Sequence, residues 1–195
     1  MEEMKSAFDR AMERADKMGK LSPEEMRQRV EAEYLPVGRA IAERYLNHGH
    51  EQLFKEEVDK HDGERRGIVV RAALTGLVAA VSLTGYERTE KALNGVLALV
   101  GDGRVDAVDS VIGGITGLLA EFSQELEHKY GEEQERIEKS ERELLHQLRI
   151  SGSAVGAINM AASQAWGKVY REFSSPFEER LEGLKGELLQ LLEQG

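Results

Sequence analysis

Apolar side chains recur at the three- and four-residue spacing of an α-helix along most of this 195-residue chain. Glycines at 49, 63, 85 and 101 lie where helix ends are expected. The pattern predicts helices at about 1–18, 24–47 (bent or interrupted at Pro36), 50–61, 67–84, 87–100, 104–173 and 176–193. Few prolines and few aromatic residues also favour helices over a β-sandwich. We predict an all-α fold.

Two Ser-Pro pairs are the most specific local signals for helix starts. In the segment Ser22-Pro23-Glu24-Glu25, the serine can cap a helix, the proline suits its first turn, and Glu25 completes a capping box. The segment beginning at Ser175-Pro176 repeats this logic. The sequence therefore predicts that the C-terminal helix begins there, separate from the run before it.

Two uncharged segments, 72–86 and 150–167, are rich in small residues at helical spacing, and 105–120 is apolar and rich in glycine. Rows of small residues let two helices approach closely. Glycine costs about 1 kcal/mol relative to alanine inside a helix, so retained glycines suggest a contact that needs them. We predict helix-packing or oligomer contacts at Ala72, Gly76, Ala80, Gly113, Gly117, Gly152, Gly156, Ala157, Ala161 and Ala165.

The predicted architecture is one all-α domain over 1–195, a bundle of six to eight helices with one long charged helix. Its Gly/Ala-rich core comprises 67–120 with 150–170. Segment 121–149 is dense in Glu and Arg and carries an apolar stripe that Glu133 and Ser140 interrupt. We expect this segment to pack on its own domain, to project as an arm, or to pair in a dimer.

A membrane offers a second explanation for segment 67–86. It has about the twenty residues needed to span a bilayer, with Arg71 as its only charge before Tyr86. It is rich in Ala, Gly and Thr rather than Leu, and basic residues flank both ends equally. A helix buried on all sides in a bundle gives the same pattern, and we favour that interpretation.

A pair of Glu-x-x-His motifs, Glu125/His128 and Glu143/His146, raises a metal hypothesis, because ferritin-like proteins bind two metal ions with this motif on two helices. Here the motifs fall on one predicted helix, about 27 Å apart at 1.5 Å per residue. We therefore expect solvent-exposed histidines and no metal.

Two other clusters are candidate metal sites, and each has an ordinary structural explanation or lacks ligands. His48-Gly49-His50 could bind a metal but straddles a predicted helix end, where histidine is an ordinary stabilising residue. Asp102, Asp106 and Asp109 resemble half of a calcium loop whose first ligand positions are apolar.

Composition narrows the function classes. A net charge of −10 with scattered basic residues argues against nucleic-acid binding, and the lack of cysteine excludes thiol nucleophiles and disulfides. The N-terminal segment is acidic and amphipathic, so we expect no secretory signal and a cytoplasmic location. No catalytic motif and no cofactor signature occurs.

We predict a non-enzymatic, self-associating interaction or scaffold protein, with a homodimer favoured and a further protein partner left open. The alternatives are an apolar-ligand-binding or membrane-active protein using 67–86 and 105–120, and a metal-dependent helical enzyme.

Overall fold

The computed structural model describes residues 22–147 and 164–193. These residues form six α-helices and one short 3-10 helix and contain no strand, so the predicted all-α class and number of helices are confirmed. The predicted helix over 1–18 lies outside the described residues. The helices are α1 (Pro23–His48), α2 (Glu51–Asp59), α3 (Gly63–Ala80), α4 (Tyr86–Leu99), the 3-10 helix (Asp102–Arg104), α5 (Val105–Gln147) and α6 (Gln164–Glu193).

The chain divides into two compact units between Gly76 and Leu77, inside α3. The first unit contains α1, α2 and most of α3. Its core is formed by apolar side chains of these three helices, among them Ile41, Tyr45, Phe54, Val58, Val69 and Ala73. That the whole chain acts as one domain stays a prediction.

In the second unit, α5 and α6 pack against each other in antiparallel orientation. Near the start of α5, Arg104 donates hydrogen bonds to the carbonyl oxygens of Leu191 and Leu192 at the end of α6, at 3.2 and 3.1 Å. Further along, Arg180 of α6 meets Glu121 of α5. The core includes Val96, Val108, Ile115, Leu119, Phe122, Phe177, Leu181 and Leu188.

The two Ser-Pro pairs have different outcomes. The capping box at Ser22 is confirmed, because Ser22 accepts a hydrogen bond from the Glu25 backbone N–H while the Glu25 carboxylate accepts one from the Ser22 N–H. The second prediction is wrong, since Pro176 lies inside the continuous helix α6. Phe173 and Phe177, on either side of the proline, both pack on Phe122 of α5, and this packing favours an unbroken helix over the local start signal.

Three other boundaries differ from the prediction. Pro36 lies inside α1 without interrupting it. Helix α3 ends at Ala80 rather than at 84. In the segment that follows, the buried Thr89 of α4 hydrogen-bonds both the N–H and the carbonyl oxygen of Ser82 and so fixes this connection. The run predicted over 104–173 is described as α5 and the start of α6, with 148–163 outside the described residues. Over the residues described, no helix combines the length and the apolar character needed to cross a membrane.

Candidate functional site

The outward side of α5 carries no charge over three turns. Residues 110–120 are all uncharged, between Asp109 and Glu121. A surface helix normally places polar and charged residues opposite its buried stripe. Here the inward residues are apolar, as that rule predicts, but the outward ones are small. We call these exposed residues the small-residue face: Ser110, Gly113, Gly114, Thr116, Gly117 and Ala120.

Two glycines of this face, Gly113 and Gly117, have no packing role that the described residues reveal. A methyl group added at Gly113 or Gly117 would meet no atom within 4 Å, and one at Gly114 would make an ordinary contact with Leu184 at 3.5 Å. Each glycine still costs the helix about 1 kcal/mol relative to alanine. Within the described part of the protomer, nothing compensates that cost at Gly113 and Gly117.

The small-residue face is also less polar than its serine and threonine indicate, because a hydroxyl group on it is already hydrogen-bonded. The Thr116 hydroxyl donates to the carbonyl oxygen of Ile112, one turn earlier, at 2.9 Å. Its donor is thereby satisfied within the helix. Because the face has few unsatisfied polar groups, covering it would cost little desolvation.

One edge of the face borders α6. A methyl group added at Gly114 would be in ordinary contact with the Leu184 side chain, so these two residues are neighbours across the two helices. Gly183 and Gly186, its near neighbours on α6, likewise have no atom within 4 Å of an added methyl group. The small-residue character therefore extends to the same level of α6.

A paired charge limits the face at its C-terminal end. Arg180 donates two hydrogen bonds to the Glu121 carboxylate, at 2.9 and 2.8 Å. These hydrogen bonds from Arg180 lower the pKa of Glu121 below its ordinary value, although burial acts in the opposite direction. This two-pronged geometry orients both side chains at the junction of α5 and α6.

Beyond this pair, the apolar stripe of α5 continues onto α6 of the same chain. Phe122 is buried against Phe177, with ring centroids 5.2 Å apart. Tyr130 meets Trp166 edge-on at 5.0 Å. The first part of segment 121–149 is therefore packed within the protomer rather than projecting alone.

Glu133, which interrupts the apolar stripe of α5, has a buried carboxylate that is paired with basic side chains. Burial raises its pKa, but hydrogen bonds from Arg136 and Lys129 outweigh that effect and leave the pKa below its ordinary value. The ammonium of Lys129 lies 3.3 Å from the carboxylate. The α5 stripe therefore tolerates Glu133 because both basic residues lie on the same helix within one turn.

The Glu-x-x-His motifs both lie on α5 and in exposed positions. His128 faces Glu132, with its Nδ1 atom 3.7 Å from the carboxylate. Glu143 and His146 lie near the end of the helix and are also exposed. Across residues 22–147 and 164–193, no three His, Asp or Glu side chains are grouped so that they could hold a metal ion.

The predicted contact residues on α3 lie at a helix crossing or near it. Ala72 is buried opposite Gly38 of α1, and a methyl group added at Gly76 would lie 3.4 Å from the Cβ of Ala42. Ala80 is half-buried at the end of α3. Of the remaining predicted residues, Ala165 lies in α6, whereas Gly152, Gly156, Ala157 and Ala161 lie outside the described residues.

Two features were missed from the sequence. Gly38 lies at a close approach of α1 to α3, and the sequence signal for it was a glycine inside a predicted helix. An apolar cleft lies between α1 and α2, lined by residues such as Tyr45 and Phe54 rather than by 67–86 or 105–120. Its signal was the predicted helix end at Gly49, which folds α2 back onto α1.

Comparison of the chain with protein-family models, with curated proteins and with solved structures gives no match. The functional argument therefore rests on the geometry above.

Proposed function

We propose that this protein is a non-enzymatic helical interaction module that forms a homodimer through the small-residue face of α5. The observation that carries the proposal is the pair Gly113 and Gly117, which are exposed, have open space around them within the described part of the chain, and weaken the helix that carries them. A second helix seated on this face would use the space that the missing side chains leave, because backbones approach most closely over small residues.

The size of the face predicts a weak complex. Eleven residues of helix extend about 16 Å at 1.5 Å per residue. A stable dimer buries about 800 Å² on each partner, which is more than one face of this length offers. The adjacent surface of α6, with Gly183 and Gly186 at the same level, must therefore contribute. We expect a concentration-dependent dimer with a dissociation constant roughly in the micromolar range.

A cytoplasmic location belongs to the same proposal. The chain contains no cysteine, so its assembly relies on packing rather than on disulfides, as is usual in a reducing compartment. A further protein partner could use the same face, and it would then compete with the second copy. We expect a weak homodimer of this kind to dissociate when a protein partner binds the same face more tightly.

Disulfide cross-linking of single-cysteine variants tests whether the small-residue faces of two copies meet. Because the natural chain has no cysteine, Ser110→Cys, Gly113→Cys, Gly117→Cys and Ala120→Cys can be made one at a time. Two copies of a residue near a two-fold axis can form a disulfide when their Cα atoms lie about 4.4–6.8 Å apart. We expect at least one of the four variants to give a covalent dimer under mild oxidation.

Gly131→Cys is the matched control. Gly131 lies on the same helix, is exposed, and has equally open space around it. It is fourteen residues beyond Gly117, about 21 Å along the axis. If Gly131→Cys cross-links as fast as the four face variants, the contact is random collision and the proposed interface is wrong.

A further inference from the structure

The cleft between α1 and α2 has the features of a small-molecule site. Gly49, in the left-handed conformation at φ 71°, ends α1 and turns the chain into α2. The two helices then border a half-open cleft with a volume of about 150 Å³. An apolar cavity of about this volume accommodates one benzene ring in a well-studied engineered case. The lining residues are Ile41, Arg44, Tyr45, His48, His50, Leu53, Phe54 and Glu57.

The inner wall of the cleft is apolar and contains two stacked rings. The rings of Tyr45 and Phe54 stack with centroids 4.5 Å apart, and both residues are buried. Leu53 lies at the edge and is 55% exposed. A flat apolar ligand would cover this leucine and pack on the two rings.

The rim of the cleft favours a negative charge. Arg44 supplies a positive charge there, and His48 and His50 supply ring N–H donors, against one lining carboxylate, Glu57. A hydrogen bond from Lys60 holds the pKa of Glu57 below its ordinary value, so this carboxylate is already paired. The Arg44 guanidinium forms an ion pair with Glu57 at 3.9 Å, too long for a hydrogen bond. Because Lys60 also pairs with Glu57, two cations share this one carboxylate, and the N–H groups of Arg44 can bind a carboxylate on a ligand.

The helix ends at this rim have opposite effects. The C-terminus of α1 at His48 repels an anion, whereas the N-terminus of α2 attracts one but already carries Glu51 in its first turn. Among the described residues, no side chain caps the N-terminus of α2 at His50. Since the two ends partly cancel, the side chains at the rim, with Arg44 foremost, decide the preference.

We propose that this cleft binds a small carboxylate with a single apolar ring. The ring packs on Tyr45 and Phe54, and the carboxylate accepts hydrogen bonds from Arg44 with support from His48 and His50. The residues of the small-residue face belong to the other unit of the chain, so this proposal stands independently of the proposed dimer.

Benzoate and benzyl alcohol are the probes, because they share the ring and differ in the charge. Binding to the full chain would be followed by amide chemical shifts in NMR titrations. We expect benzoate to bind about ten-fold more tightly than benzyl alcohol, with the largest shifts at 41–57. Equal affinities, or shifts centred outside this segment, would overturn the proposal.

Arg44→Gln tests the assigned role of the guanidinium. We expect it to weaken benzoate binding about ten-fold and to leave benzyl alcohol unchanged. Arg39→Gln is the matched control, since Arg39 is exposed on the same helix and does not line the cleft. Leu53→Asn should weaken both probes equally. Loss of benzoate binding in Arg39→Gln would contradict the proposal, and so would unchanged benzoate binding in Arg44→Gln.

Discussion

Gly38 of α1 and Ala72 of α3 lie in direct contact, with no room for a side chain between them. A methyl group on Gly38 would overlap the Val69 carbonyl oxygen and lie 2.6 Å from the Ala72 Cβ. Backbone atoms cannot move aside as a flexible side chain can. This contact fixes how closely α1 and α3 cross within the first unit.

Gly38→Ala should therefore destabilise the first unit. We expect the free energy of unfolding to fall by about 1–3 kcal/mol, since overpacking outweighs the gain in helix propensity. Urea denaturation followed by circular dichroism measures the change. Gly67→Ala is the control, because Gly67 is exposed on α3 with open space around it and should gain up to about 1 kcal/mol. Equal stability of the two variants would refute the close contact.

Phe122→Ala should loosen the pairing of α5 with α6. Phe122 is buried between Phe173 and Phe177, so its removal should cost about 3–5 kcal/mol. Trp166 is the only tryptophan and contacts Tyr130, so its fluorescence reports on this pairing. Leu144→Ala, on an exposed part of α5, should change stability by less than about 0.5 kcal/mol. A Phe122→Ala variant as stable as Leu144→Ala would be evidence against the packing.

The Glu121–Arg180 pair should make stability depend on pH. Hydrogen bonds from Arg180 lower the pKa of Glu121 in the folded state. The pair therefore contributes its full stability above the ordinary glutamate pKa of about 4.3, and loses it as the pH falls through the lower folded value. We expect Glu121→Gln to melt below the wild type at pH 7.

In that comparison, the difference in melting temperature between wild type and Glu121→Gln should shrink as the pH drops below about 4. Glu187→Gln, at an exposed site on α6 outside this pair, is the control. A difference that stays constant from pH 7 to acid would show that the pair does not carry the effect.

Local signals predicted the fold well where nothing else competed with them. Ser22 and Gly49 lie at exposed helix ends, so capping chemistry alone decides the structure there. Pro176 carries the same signal as Pro23, yet α6 passes through it. The three-phenylalanine cluster around it joins residues far apart in sequence, and helical periodicity does not reveal such contacts in advance.

The candidate sites were predictable only in part. The sequence pointed to Gly113 and Gly117, but only the structure places them on the outside of α5. Periodicity shows which residues share a helix face, not which of two apolar or small faces becomes buried. The α1–α2 cleft depends on the angle at which α2 folds back after Gly49. The stacking of Tyr45 on Phe54 accompanies that angle, and no sequence motif indicates it.

The central claim is that two copies meet through the small-residue face, and sedimentation equilibrium of Gly117→Arg beside Gly131→Arg tests it most directly. Both sites are exposed glycines of α5 with open space around them, so both variants gain one positive charge and up to about 1 kcal/mol of helix propensity. In an acidic protein that added charge reduces repulsion between copies, so it cannot by itself explain a loss of association. We predict that wild type and Gly131→Arg form dimers with the same dissociation constant and that Gly117→Arg is a folded monomer. A wild type that stays monomeric at every concentration, or a Gly117→Arg variant that dimerises like the wild type, would contradict the account.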